Sequence, residues 1–416
     1  MSSEQLALKG RLGDFFNQRQ QRGQDDLPVM SVTMNDSLVY RDEIERRLES
    51  TLRADQHLLV KKGDIAYNMM RMWQGACGLA LHDGIVSPAY VVLEPKPSID
   101  GRFAYHWFKS SRMIYLFRAY SHGLTEDRLR LYFDNFCEIP AVPPPIENQR
   151  IIANVLDEWD AAIGEAESLI KQKQQRKKAL LRLLFATVSK RPFLEAVEVT
   201  LSGVDKKSAE HEKSVLLCNY MDVFYNKRIT SRLDFMRATA SDKEIENQKL
   251  RKHDVVFTKD SETADEIAEP ALVAEDIDSL ICGYHLAIAR PRPGVAYGPF
   301  IAQAMSHPEI RWQFRRLANG VVRFGLTLEA IEAVEIYLPD LPTQKRIASV
   351  LDAEDEAIEN LERSIELFRD QKRGLSQKLL ADHTQADSVV FSQLRAIPVT
   401  VRSTSNGRAR SVKVDN

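Results

Sequence analysis

One stretch of this 416-residue chain is written twice. The segment Gln149-Arg-Ile-Ile-Ala-Asn-Val-Leu-Asp157 returns as Gln344-Lys-Arg-Ile-Ala-Ser-Val-Leu-Asp352, 195 residues later and without a gap. Residues 149–185 and 344–380 share 14 identities in 37 positions. A repeat of this length is too long for a solenoid unit, which runs roughly 20 to 50 residues. It is the length of a domain plus a connector, so the chain reads as two copies of one device in tandem.

The repeated segment has a helical period. Steps of three and four pick out Ile152, Leu156, Trp159, Ile163, Ala166, Ile170, Lys173, Lys177, Leu180 and Leu184 in the first copy. In the second they pick out Ile347, Leu351, Glu354, Ile358, Leu361, Ile365, Phe368, Lys372, Leu375 and Leu379. The a/d pattern holds for about five heptads, with no proline and one glycine in each copy. At 1.5 Å per residue each helix is expected to run roughly 55 Å. Each starts after a proline-rich stop, Val142-Pro-Pro-Pro145 or Leu338-Pro-Asp-Leu-Pro342, where the missing N–H groups cost a first turn nothing. A single apolar stripe must be buried, and two helices in matched register are natural partners, antiparallel if the chain returns between them. Lys177 and Lys372 occupy equivalent seam positions. A polar group repeated in a seam sets register or contacts another chain.

Length alone favours two or three domains, and 44% hydrophobic with 28% charged residues is a globular composition. No apolar run reaches the roughly 18 residues of a membrane span, and the first residues lack the pattern of a signal peptide. Cys77, Cys137, Cys218 and Cys282 are scattered without C-x-x-C spacing, as expected of reduced thiols in a cytoplasmic protein with neither zinc site nor disulfide frame. A net charge of −2 does not advertise nucleic-acid binding. Basic residues are nevertheless grouped, as Arg112, Arg118, Arg128 and Arg130, and as Arg311, Arg315, Arg316 and Arg323. Acidic residues gather in Glu262–Asp278 and Asp352–Glu359.

The segments 1–145 and 186–340 are similar in length and weakly similar in pattern. Extended runs are expected at Leu27–Thr33 and Ser214–Asn219, then at Lys62–Tyr67 and His253–Phe257. A further pair, Ser87–Pro95 and Gly283–Pro291, ends at proline in both copies and is apolar enough for buried strands. Helical segments follow near Phe103–Tyr120 and Gly298–Leu317, then a glycine turn at Gly123 or Gly320. The fold class is therefore α/β: two tandem α/β domains, each followed by a long helix, in an internal repeat with approximate twofold character.

Together these features resemble the specificity subunit of Type I restriction–modification enzymes. The residues that carry the resemblance are Gly63-Asp-Ile, Gly84-Ile-Val-Ser-Pro-Ala-Tyr90, Pro143-Pro-Pro-Ile-Glu-Asn-Gln149 with Ile152-Ala153 and Leu156-Asp157, and Lys177-Lys-Ala-Leu-Leu181. The second copy supplies Pro339-Asp-Leu-Pro-Thr-Gln344, Ile347-Ala348, Leu351-Asp352 and Lys372-Arg-Gly-Leu375. The resemblance spans roughly residues 10–382. It implies a first target recognition domain over 1–145, a central helix over 146–187, a second recognition domain over 188–340, and a C-terminal helix over 341–382. The tail over 383–416 has a flexible composition. The two helices would pair as an antiparallel coiled coil through Ile152, Leu156, Ile163, Ile170, Lys177, Leu180 and Leu184 with Ile347, Leu351, Ile358, Ile365, Lys372, Leu375 and Leu379. Each domain would read one half of a split double-stranded DNA target, and the coil would set the spacer and dock two methyltransferase subunits. Motor-nuclease subunits would join through these. The chain itself would be non-catalytic and hold no cofactor, with S-adenosylmethionine, ATP and Mg²⁺ on the partner subunits, and no membrane is involved.

Candidate DNA contacts follow from side-chain chemistry. Arg71, Trp73 and Gln74 lie on an expected loop, where Arg and Gln suit bidentate contacts to guanine and adenine edges. In the second copy Lys259 follows the equivalent strand, and Arg228 and Arg232 flank a loop. Arg112, Arg118, Arg128, Arg130, Arg315, Arg316 and Arg323 are candidates for phosphates. Two catalytic look-alikes fail. Ser87-Pro-Ala-Tyr90 resembles the Pro-Pro-aromatic motif of amino-methyltransferases but has Ala in third place and no Gly-rich loop before it. Glu94-Pro-Lys96 resembles a nuclease acid–x–Lys arrangement, yet the other copy has Arg290-Pro-Arg292. The competing readings are a scaffold that joins partners without reading DNA, and a nuclease or methyltransferase in its own right.

Overall fold

In the computed structural model, residues 9–34, 37–43, 52–205, 209 and 211–381 are described. The expected tail over 383–416 lies outside the described residues. The chain divides into two compact units, Met1–Ala166 with Ser364–Asn416, and Glu167–Arg363. The two long helices, Ile146–Phe185 and Leu341–Leu379, each contribute one part to either unit.

The first unit is built on a four-stranded antiparallel sheet in the order Phe16–Arg19, Tyr90–Pro95, Ile65–Asn68, Cys77–Leu79. Side chains alternate between faces along a strand, and here both faces are covered. Ile65, Tyr67, Val91 and Leu93 pack with Phe103, Phe108 and Phe136, while Ala66 and Val92 pack with Met30, Val60 and Val86. That explains why these strands are unbroken apolar runs in the sequence. The expected run Leu27–Thr33 is mostly irregular: Met30–Ser31 pairs with Val39–Tyr40, and Val29 makes a single bridge to Ile85. The strand Phe16–Arg19 had no signal of its own, because as an edge strand it carries only Phe16 and Arg19 inward.

The second unit repeats the plan with Val197–Leu201, Leu286–Pro291, Val255–Thr258 and Pro270–Val273, extended by Arg228–Ile229 in parallel with the last. The register is repeated too: Phe16 faces Pro95 as Val197 faces Pro291. A separate three-stranded sheet joins Met236–Ala240, Lys213–Cys218 and Leu280–Cys282.

Each expected single helical segment is two helices. In the first unit Gly101–Phe108 and Ser111–Ala119 are separated at Ser110, whose hydroxyl caps the second helix by accepting from the Met113 N–H. In the second unit Gly298–Met305 and Pro308–Leu317 break at His307, with Pro308 opening the next helix.

The long helices pack within each unit. In the first, Ile152, Ala153 and Leu156 share the core with Leu379 and Leu380, and Trp159 meets Phe368 edge-on at 5.8 Å. In the second, Leu181 and Phe185 share the core with Ile347, Ala348 and Leu351. In each case residue numbers rise on one helix as they fall on the other, so the segments run antiparallel. No helix among the described residues is long and apolar enough to cross a membrane.

Candidate nucleic-acid interface

Each sheet domain is tied to its long helix by the glutamine that opens the repeat. Gln149 is fully buried. Its Oε1 accepts from the Asp100 N–H at 2.8 Å, and its Nε2 donates to the Pro144 carbonyl at 2.8 Å and the Ser98 carbonyl at 3.2 Å. Gln344, equally buried, accepts from the Tyr297 N–H at 2.9 Å and donates to the Pro339 and Val295 carbonyls at 2.8 and 2.9 Å. One amide thus satisfies three backbone groups at the point where sheet domain, proline turn and long helix meet. A buried polar group with all its partners fixes geometry, because losing any partner costs its full desolvation penalty.

About two and three helical turns further on, repeated aspartates continue the attachment. Asp157 accepts from Arg102 at 3.1 Å and lies 2.8 Å from His106 Nε2, and Asp160 pairs with Lys372. In the second unit Gln303 donates to both Asp352 and Asp355 at 2.8 Å, and Asp355 pairs with Lys177 and Lys227, each at 2.7 Å. The seam lysines therefore answer carboxylates of the facing helix. Burial pushes Asp355 up, but Lys177 and Lys227 outweigh it and hold the carboxyl below its usual value. Lys177 is itself lowered, by burial first and by Lys227. Burial raises Asp352.

Of the other seam residues, Ile152, Leu156, Ile163, Ile347, Leu351, Ile358, Ile365 and Leu379 are buried, and Ile170, Leu180, Leu184 and Leu375 half-buried.

In the first unit the structure gathers four of the proposed DNA contacts. Arg71 is exposed and donates to Gln74 at 3.1 Å, both on the turn around Met72–Gln74. Trp73 is half-buried, donates its indole N–H to the Met70 carbonyl, and has Arg118 5.7 Å from its ring centroid. Arg118 also pairs with Glu126. Arg112 is exposed on Ser111–Ala119, and Arg128 and Arg130 are exposed on the loop that follows.

In the second unit sequence segregation of charge is not segregation in space. Arg315 pairs with Asp265 at 2.5 Å and Arg311 with Glu269. Arg323 pairs with Asp260 at 2.8 Å, which also holds His285. The acidic stretch is thus folded against the arginines of 311–323. Arg316 stacks over Trp312. Lys259 donates to the Ser202 carbonyl and lies 4.8 Å from the Tyr284 ring centroid, and burial lowers its pKa. Arg228 is drawn to 3.8 Å from Asp352, and Arg232 is exposed on a turn.

The acid–x–Lys look-alike has a structural partner. Arg19 forks onto Asp64 at 2.6 and 3.2 Å and reaches Glu94 at 2.7 Å. In the second unit Arg290 stands at the position of Glu94 and grips Asp254 at 2.9 and 2.8 Å. The same buried carboxylate is answered by an arginine from a different strand. No group of three or more His, Cys, Asp or Glu among the described residues is placed to hold a metal.

With this geometry in place, residues 236–368 match the family model described as the Type I restriction modification DNA specificity domain. Over these residues the chain is similar to a Type I restriction–modification DNA specificity domain. The match runs from the strand Met236–Ala240 through the helices Gly298–Met305 and Pro308–Leu317 and into the C-terminal helix as far as Phe368. The likeness of fold is wider than this domain. The S subunit of a Type I restriction–modification system from M. genitalium superposes with a TM-score of 0.57 at 14% identity, covering 92% of this chain and 98% of that one. The HsdS subunit from Thermoanaerobacter tengcongensis matches at a TM-score of 0.44 and 14% identity, covering 91% of this chain and 97% of that one. No curated protein matches the sequence.

Sequence reasoning passed over the residues that hold each sheet domain to its long helix. Gln149, Gln344, Asp160 and Asp355 were counted as identities without a role. The signal was available: a buried helix start seldom repeats a polar residue unless that residue has partners.

Proposed function

We propose that the chain is the DNA-recognition subunit of a Type I restriction–modification complex, with no catalytic activity of its own. Each reader addresses one half of a bipartite double-stranded DNA target. The long helices pair as a coiled coil that sets the unread spacer and docks two methyltransferase subunits, through which motor-nuclease subunits join. S-adenosylmethionine, ATP and Mg²⁺ are held by those partners, in the cytoplasm. The observation that carries the reading is the match of residues 236–368 to a DNA specificity domain. What extends it to both halves is the repeated glutamine clamp, which attaches a second reader of the same plan to the same kind of helix. B-DNA repeats every ~34 Å, so two readers on stiff helices can address two groove segments with a gap between them.

The test is methylome sequencing of a host with and without this chain, its modification subunits being present. We expect a split methylated motif that disappears with the chain. An unchanged methylome would sink the reading in favour of a scaffold, and methylation by the purified chain alone with S-adenosylmethionine would show it to be an enzyme.

A further inference from the structure

The three most exposed large apolar side chains among the described residues all lie on one loop, counted once in each unit. Leu124 is 94% exposed, Val321 93% and Val322 86%. A single exposed aliphatic residue needs no explanation. The recurrence of the feature at one topological position does, because the two loops share little sequence.

The loops are built alike. Each follows the second reader helix, Ser111–Ala119 or Pro308–Leu317. Each is closed by reciprocal backbone hydrogen bonds, between His122 and Arg130 in one and Asn319 and Gly325 in the other, all at 2.9 Å. Each turns at a glycine, Gly123 or Gly320, where an added Cβ would overlap the carbonyl oxygen of Arg128 or Arg323 respectively. The matched trio is therefore a glycine crossing under an arginine's backbone, with an aliphatic residue next to the glycine thrown into solvent. The first loop is braced by the Arg118–Glu126 pair, the second by pairing of Phe324–Gly325 with Asp260–Ser261. Tips on a loop closed in this way lose less chain entropy on burial than tips on an open loop would.

Resting on the recognition reading above, we propose that each loop is a probe that sets its aliphatic tip against the bases of duplex DNA. Leu124 would serve one half-site and Val321 with Val322 the other. Arg128 and Arg323 would meet the adjoining backbone. Size and surroundings favour DNA over a protein partner. The neighbours of Leu124 are His122, Thr125 and Glu126, and those of Val321 are Asn319 and Arg323. One or two aliphatic side chains in a polar, arginine-bearing loop are far smaller than the roughly 800 Å² each partner buries in a stable protein interface. They match the dimensions of a thymine methyl contact or an apolar wedge at a base step.

The test uses the full chain with its modification subunits, and duplexes carrying either the motif read from the methylome or a scrambled one. Leu124→Ala, and separately the pair Val321→Ala with Val322→Ala, should weaken binding to the motif duplex by roughly tenfold, the loss of one base contact. Binding to the scrambled duplex should not change. Arg128→Ala should weaken both and flatten the salt dependence. Tip variants that bind the motif as tightly as the parent, while the parent still prefers it, overturn the probe and leave DNA recognition standing. A parent with no preference removes both. Tip variants that lose the modification subunits on gel filtration overturn the proposal in favour of a protein dock.

Discussion

The two units place the same aspartate–lysine pair between their helix segments, in different surroundings. In the second unit Asp355 and Lys177 side chains are 4% and 12% exposed, roofed by Gln303 and Lys227. In the first, Asp160 and Lys372 are 45% and 22% exposed, with His106 at the place of Gln303. The repeat carries the pair in both copies, and the domain packed above it decides how much water it sees. An ion pair in water contributes little, whereas a buried one is costly to break because the surviving charge is stranded.

The largest expected effect is accordingly confined to the second unit. Asp355→Ala strands Lys177 beside Lys227 and should cost about 3–5 kcal/mol in urea unfolding, while Asp160→Ala should cost under about 1 kcal/mol. Equal losses would erase the distinction. The glutamine clamp supplies the control, because its environment is the same in both units. Gln149→Ala and Gln344→Ala each leave three backbone groups unpaired, and both should destabilise by about 2–4 kcal/mol. A difference of more than about 2 kcal/mol between them would show that the attachment is not one design used twice.

Acid should separate the units more gently. The folded Asp355 carboxyl lies below its ordinary value of 3.8. A depressed carboxyl contributes its stability above the unfolded pKa and loses it as pH falls through the folded one. Asp355→Asn should therefore be less sensitive than the parent to acid between about pH 5 and pH 2, and unchanged sensitivity would contradict the assignment. The smallest effect belongs to salt. Raising ionic strength should weaken the contribution of Asp160–Lys372 while leaving Asp355–Lys177 nearly untouched, in a double-mutant cycle at low and high salt.

What was legible in the sequence was periodic. The helices Ile146–Phe185 and Leu341–Leu379 begin at or within the proline-rich stops and end two and three residues short of the expected 187 and 382, because five heptads of apolar spacing leave little choice. The buried strands Tyr90–Pro95 and Leu286–Pro291 were legible for the same reason, both being apolar on both faces. Contacts that join distant residues were not. Arg19 lies 45 residues from Asp64, and Arg290 lies 36 from Asp254, so neither fork leaves a local pattern. Pairing of Arg311 and Arg315 with the acidic stretch was hidden likewise, since charge runs read as segregated until the fold brings them together. The apolar tips at Leu124 and Val321 were passed over because one exposed residue carries no period, and only the superposition of two loops gives it meaning.

The proposed function requires two DNA readers to be held at a set separation by paired helices. One heptad inserted into the first helix after Ala166, with a matching heptad in the second before Ser364, lengthens the pair by roughly 10 Å, or about three base pairs. Methylome sequencing of a host carrying this variant should show both half-sites unchanged and a longer spacer between them. Altered half-sites, or an unaltered spacer, would contradict the account.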